Sequence, residues 1–343
     1  MKLFRSLAFL LLAALLICGP TPAAKAPRGV AGYYWVYDDG TKPFASASNN
    51  ADAITMLCPT WMELKNTQGD IDWHPDSKLQ DWAKERGIQV VPLIASFSPR
   101  TMHAVFSSIE SRVRLERQIL DALDSCKYVQ GINLDFEGMH AEDRSSYTNF
   151  IIELSALLKP KGYMMTIDVP AKTCESLTNN WTGCFDFPEI GRYCDIVMVM
   201  TYDEHEGSSG PGPISSVQMC DATMRYTTSV IPKEKVYLGL PFYGYDWPER
   251  GKGARVTSPR YDETMQQVKE KSIKPNWDKV ARCPWYKYTD DKGIHRTAYY
   301  EDSRSIAAKL EIGRRYDVGG ICIWSLGGED PGIWSSIRRF RQH

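Results

Sequence analysis

The chain has 343 residues, 43% of them hydrophobic and 24% charged, with a formal net charge of −1. This is a globular composition, long enough for one large domain or two small ones. The absence of a basic surplus or of any block of like charge excludes nucleic acid as the main partner.

The first segment reads as an export signal. Lys2 and Arg5 precede an apolar run from Leu7 to Cys18, followed by Pro20, Pro22, Ala23 and Ala24. The run is too short for a stable membrane span, and cleavage is expected after Ala24 or Ala26, so residues 1–26 are assigned to a signal peptide. Ile17, before Cys18, is too large for a lipoprotein anchor. The mature chain is therefore expected to be secreted, whether extracellular, periplasmic or wall-associated, and not embedded in a membrane. Removing Cys18 from the nine cysteines leaves Cys58, Cys126, Cys174, Cys184, Cys194, Cys220, Cys283 and Cys322. Export permits disulfides. Cys174 and Cys184 bracket a polar loop and form the best candidate pair, whereas Cys322, inside an apolar run, reads as a buried thiol. No C-x-x-C pair or metal-ligand spacing of His occurs, so no metal or cofactor is expected.

Short apolar runs then recur at Val30–Val36, Ile54–Cys58, Val90–Ala95, Val129–Phe136, Tyr163–Val169, Ile196–Met200, Val236–Leu240 and Gly320–Trp324. Their length and their Val, Ile and aromatic content suit buried parallel strands. Amphipathic stretches lie between them. Ser77–Arg86 stops at Gly87, Ile109–Lys127 repeats Val113, Ile119, Leu120 and Leu123, and Glu142–Lys159 ends at Pro160. Ile214–Val230 and Ser303–Tyr316 are further helices. Strand and helix alternating in this way predict an α/β fold, a (β/α)8 TIM barrel. The polar, aromatic-rich segment 248–300 breaks the rhythm and predicts a small inserted α+β subdomain between strand 7 and helix 7. The barrel domain then spans residues 27–343.

The fourth run carries the chemistry. Its alternation puts Ile132, Leu134 and Phe136 on one face and Asn133, Asp135 and Glu137 on the other. An exposed strand edge tolerates such a trio. Burial makes it costly unless the groups serve a site. In a barrel, reactive groups come from the C-terminal ends of strands. Those ends offer Tyr202, Asp203, Glu204 and His205 after the sixth run, Tyr243 through Trp247 after the seventh, and Trp324 on the eighth. Carboxylates, tyrosines and indoles together suit a carbohydrate site.

These motifs resemble glycoside hydrolase family 18, whose usual strand-four pattern is D-G-x-D-x-D-x-E. Tyr202-Asp203, Trp324 and the Pro241–Tyr245 run match it as well. Within the family the likeness is to bacterial spore-cortex and peptidoglycan N-acetylglucosaminidases. These share Asn133-x-Asp135-Phe136-Glu137, Val169–Lys172, Met200–His205 and Gly210–Pro213. Di-N-acetylchitobiases share part of the pattern. The resemblance covers about Val30 to Leu326 and implies a retaining, substrate-assisted glycosidase acting on a polysaccharide, with no cofactor. It implies Glu137 as general acid, Asp135 as orienter of the substrate acetamido group and Tyr202 as its third catalytic contact. It also implies Asp203, Trp324, Asn133, Tyr243, Trp35 and Glu204 as substrate-binding residues. Two positions depart from the usual pattern: Gln130 and Asn133 stand where it has Asp. Trp35, Tyr37, Trp61 and Trp247 are candidates for outer sugar subsites or for plain packing, and Asp168 for the site or for a structural hydrogen bond. Chitin-type substrates and a non-catalytic sugar-binding barrel are the alternatives to peptidoglycan hydrolysis.

Overall fold

The computed structural model describes residues 26–35, 40–249 and 254–342. The leader-like stretch 1–25, with Cys18, and Tyr37 lie outside them. Eight parallel strands form the centre: Gly29–Tyr34, Met56–Leu64, Leu93–Ser96, Gly131–Phe136, Met164–Pro170, Ile196–Met200, Val236–Pro241 and Gly320–Trp324. Each pairs with the next, and the first pairs with both the second (Ala31 with Met56) and the eighth (Gly29 with Gly320). The sheet therefore closes, and no barrel edge is left for water. This is the (β/α)8 barrel that the alternation of runs predicts.

Two strands differ from the runs read in the sequence. The second continues through Pro59 to Leu64 and folds back on Ile71–Trp73 as an antiparallel extension. Trp61, Met62 and Leu64 are buried there, so tertiary packing overrides the proline. The third run is split into Gln89–Val90 and Leu93–Ser96, because Pro92 lacks the N–H that would continue the ladder.

Helices pack around the barrel, and several begin at a side-chain cap. Asp76 accepts from Lys78 N and Leu79 N at the start of Ser77–Glu85, Ser108 caps Ile109–Asp124, and Asp302 caps Ser303–Arg315. The layer between strands and helices is apolar, with Phe106 against Phe136, Tyr147 and Phe150 at ring separations of 5.3, 5.0 and 5.0 Å. Inside the barrel sit Ala31, Tyr33, Met56, Cys58, Leu93, Met198, Tyr237 and Cys322. Tyr237 plugs one end so tightly that a Cβ on Gly29 would come within 1.8 Å of its hydroxyl. Glycine is required at that position by space alone.

Between the seventh strand and Ser303–Arg315 lies a four-stranded antiparallel sheet of Tyr245–Pro248, His295–Tyr299, Cys283–Thr289 and Asn276–Asp278, with helix Tyr261–Glu270. A buried ion pair, Arg296 to Asp246 at 3.0 Å, ties its first two strands together, and Tyr288 donates to the same carboxylate at 2.6 Å.

The cysteine expectation needs correction. Cys174 and Cys184 are both free, as are the other six cysteines of residues 58–322. Cys174 is exposed, whereas Cys184 is turned into the core 3.9 Å from Met139 Sδ. The loop between them is held instead by charge. Lys172 Nζ reaches Glu175 and Phe185 O at 2.7 and 2.8 Å, and Arg144 reaches Gly183 O, Glu175 and Asp186.

Candidate active site

Strand alternation places the fourth strand's two faces as the sequence implies. Phe136 packs outward against the helices, while Asn133 and Asp135 point into the barrel and Glu137 follows at the strand's C-terminal end. Glu137 lines a cavity of about 610 Å³ with Tyr202, Asp203, Tyr245, Glu206 and Trp181. Asp135 opens on a second cavity, of about 390 Å³, with Trp324, Trp35, Trp61 and Phe97. The two carboxyl groups, two residues apart at the end of one strand, thus line two separate cavities, a placement suited to a bond cleaved between sugars held on either side.

The electrostatics favour a protonated acid. Burial and then the charge of Asp203 push Glu137 up to about 7. Asp135 is pushed well above the ordinary carboxylate range by burial, then by Asp168 and Glu137. Its Oδ1 is buried and has no hydrogen-bond partner among the described residues. Asp203 sits with φ at 58°, in the left-handed region, and accepts from Tyr243 Oη at 2.6 Å. Burial raises it, opposed by the hydroxyls of Tyr243 and Tyr245. Trp324 lies across the barrel mouth, edge-on to Tyr33 at 5.1 Å and tilted against Trp35 at 5.7 Å.

The structure brings Glu137, Asp135, Tyr202, Asp203, Trp324, Trp35 and Trp61 to the cleft, with Tyr243 behind Asp203. Other expected site residues are elsewhere. Asn133 has no exposed surface. It donates from Nδ2 to Asp168 at 2.6 Å and accepts from the Thr166 hydroxyl, so it is a spacer inside the barrel rather than a sugar contact. Glu204 turns away and accepts from Ser216 N at 2.9 Å. His205 pairs with Gly210 O at 2.9 Å. Trp247 is 2% exposed and donates to Glu206 O, which makes it packing beneath Tyr245. Gln130 is explained by the break in the third strand: its Oε1 accepts from Val90 N at 2.6 Å while its own N–H donates to Val90 O. It clasps backbone beside Pro92 and takes no part in the cleft.

Phe97, Glu206 and Trp181 line these cavities and were missing from the sequence reading. Glu206 is on the loop after the sixth strand, three residues beyond Asp203. Trp181, 52% exposed, is on the loop after the fifth strand that Lys172 and Arg144 pin. A tryptophan in a polar loop at a strand's C-terminal end was the signal available. Replacing Trp181 with Ala is expected to raise KM for long glycans about tenfold, the worth of one aromatic platform. Turnover of a short fluorogenic disaccharide should stay unchanged, and steady-state kinetics on both substrates checks this.

Paired carboxyl groups at the C-terminal end of a parallel barrel strand, walled by tyrosines and tryptophans, define a glycoside hydrolase. The chain belongs to glycosyl hydrolases family 18, whose sequence profile matches residues 30–330. It is 29% identical over 278 residues to the uncharacterized glycosylase YvbX of Bacillus subtilis (strain 168), covering 79% of this chain and 80% of that one. It is 28% identical over 207 residues to the cortical fragment-lytic enzyme of the same organism, covering 59% of this chain and about half (48%) of the relative. The crystal structure of the Bacillus megaterium QM B1551 spore cortex-lytic enzyme SleL superposes with a TM-score of 0.84 at 23% identity, over 93% of this chain and 75% of that one. No helix among the described residues is long and apolar enough to cross a membrane.

Proposed function

We propose that this chain is an exported, retaining N-acetylglucosaminidase that cleaves β-1,4 bonds in peptidoglycan by substrate-assisted catalysis. The observation that carries the reading is Glu137, an acid kept protonated to about pH 7, which lines a cavity at the barrel's C-terminal end two residues from Asp135. In the first step Glu137 gives its proton to the glycosidic oxygen, the leaving sugar departs, and the acetamido oxygen of the remaining N-acetylglucosamine bonds to its own C1. Asp135 accepts from the acetamido N–H and faces the positive charge of the resulting oxazolinium ion. Tyr202 and Asp203 hold the acetamido group from the other side, and Trp324 forms the floor. In the second step Glu137, now a carboxylate, takes a proton from water as the oxygen adds to C1 and opens the ring, so configuration is retained.

Peptidoglycan as substrate is supported by the similarity to the cortical fragment-lytic enzyme, and export by the leader-like first segment. The run of Trp35, Trp61 and Trp324 beside Asp135 favours a second reading, the same chemistry on chitooligosaccharides, since uniform sugars stack on a continuous aromatic wall. Mass spectrometry of products from purified peptidoglycan and from chitooligosaccharides separates them. Muropeptides with a reducing N-acetylglucosamine end are the expected result. Products from chitooligosaccharides alone would move the assignment to the second reading, and no product from either would overturn both.

A further inference from the structure

The inserted sheet carries a groove that the catalytic steps do not use. Its edge strand, Asn276–Asp278, pairs only with Cys283, Pro284 and Trp285 of the neighbouring strand Cys283–Thr289. Tyr286 through Thr289 therefore have a strand on one side only, His295–Tyr299. Beside this gap lies a groove of about 620 Å³, lined by Trp285, Tyr288, Asn276, Lys271, Lys274 and Lys287. Lys271 Nζ stands 5.9 Å from the ring centre of Tyr288, and Lys287 Nζ 5.9 Å from that of Trp285. Asp291, itself 94% exposed, reaches Lys271 at 2.7 Å from outside the groove. Among the described residues no carboxylate lines the groove, and neither Lys274 nor Lys287 has an ion-pair partner. In a chain of formal net charge −1, three ammonium groups beside two aromatic rings are a local excess that draws an anion.

The same sheet joins this groove to the reaction. Tyr245, which lines the cavity of Glu137, pairs with Tyr299, and Tyr299 pairs with Trp285. Residues paired across a sheet share a face, so the three rings form a ladder across two strand spacings, roughly 10 Å. All three are half-buried. Trp285 and Tyr299 stack at 5.9 Å and 15°, and Trp247 packs between Tyr299 and Tyr245 at 6.4 and 5.5 Å. Ring faces of this kind suit sugar rings. The ammonium groups at the far end suit carboxylates, which a chitin strand lacks and a peptidoglycan strand carries on its lactyl or peptide groups.

We propose that this groove is a second, non-catalytic glycan site that holds a peptidoglycan strand by its carboxylates on Lys271, Lys274 and Lys287 and by a sugar face on Trp285. This rests on peptidoglycan as the substrate. A strand seated there stays beside the cavity between cleavage events, and its effective concentration rises without any new contact at the reacting bond.

Cosedimentation with peptidoglycan sacculi stripped of phosphate polymers tests this in the Glu137→Gln background, where no strand is cut. Replacing Lys271, Lys274 and Lys287 together by Gln is expected to weaken binding about tenfold, roughly twofold for each exposed charge contact, and to flatten its salt dependence. Trp285→Ala should weaken binding about fivefold and leave the salt dependence in place. Blocking the carboxyl groups of the sacculi as amides should bring the protein with intact lysines down to the level of the triple variant. Binding to chitin should not distinguish the two. With Glu137 restored, the triple variant should hydrolyse a fluorogenic disaccharide with kcat/KM within about twofold of the wild type. Thermal unfolding establishes that the variants are folded. Unchanged sedimentation of the triple variant with stripped sacculi would overturn the proposal. So would a lysine-dependent loss confined to sacculi that keep their phosphate polymers, or to vesicles of anionic phospholipid, since each names a different ligand. An equal loss on the fluorogenic disaccharide would place the effect in the catalytic cavity and overturn it as well. A wild-type protein that cleaves no peptidoglycan would overturn the functional reading by a separate route, because sedimentation needs no cleavage.

Discussion

Replacing Glu137 with Gln is expected to lower kcat by about three orders of magnitude, within the range that a positioned general acid supplies. Gln has the shape of Glu, fills the same wall of the cavity and still donates a hydrogen bond, but its amide cannot release a proton to the glycosidic oxygen. Binding of the glycan should survive within a few-fold, because the aromatic platforms and the Tyr202 and Asp203 contacts are untouched. Isothermal titration with the variant, beside kinetics on the wild type, checks both halves. A variant that keeps full activity would remove Glu137 from its role. The wild-type pH profile gives a related sign. Glu137 must be protonated in the first step, and burial with Asp203 nearby holds its proton to about pH 7, so activity should decline above that value. Asp203→Asn removes the raising charge, and the same limb should then move to lower pH.

The strand that carries this chemistry was legible because its two faces differ. Ile132, Leu134 and Phe136 alternate with Asn133, Asp135 and Glu137, and that pattern fixes which side chains enter the barrel before any neighbour is known. The other barrel strands were legible for a coarser reason. Buried on both faces, they read as continuous apolar runs. What escaped the sequence depends on partners distant along the chain. Asn133 and Gln130 were both read as departures within the site, yet the first is a spacer for Asp168, 35 residues on. The second clasps Val90, 40 residues back. Nothing local to either residue announces that cross-strand register. Pro59 within a strand was likewise invisible, since the packing of Trp61 and Met62 decides it. The spacing of Cys174 and Cys184 suggested a bridge, but Cys174 is exposed and Cys184 buried, and the loop between them is held by the Lys172 and Arg144 ion pairs. Glu204 and His205 share a motif with Tyr202 and Asp203, but the chain turns at Asp203 and carries them away from the cleft.

Replacing Lys309 with Met is expected to cost about 3–5 kcal/mol of stability at neutral pH, the range for stripping one partner from a buried ion pair. Lys309 Nζ lies 2.6 Å from Glu301 Oε2, with side-chain exposures of 0% and 1%. Glu301 is the residue through which the chain returns from the inserted sheet to helix Ser303–Arg315, so the pair clips the insertion to the barrel. Burial already raises Glu301 above its ordinary 4.5, with Lys309 opposing. Without the ammonium only the Ser305 hydrogen bond still opposes burial, and the folded protein holds the Glu301 proton more tightly than the unfolded chain does. The contribution of a raised acid is fully present below its unfolded value and is lost as pH rises through the folded one. The variant should therefore lie close to the wild type near pH 4.5 and fall progressively behind it toward pH 8, as urea unfolding at a series of pH values would record. The double replacement of Glu301 and Lys309 by Met removes both desolvated charges and should recover most of the loss. If the single variant is as stable as the wild type at pH 8, Glu301 has found another partner and the clip lies elsewhere. If the double variant is no better than the single one, the cost comes from packing around the lysine stem rather than from the stranded carboxylate.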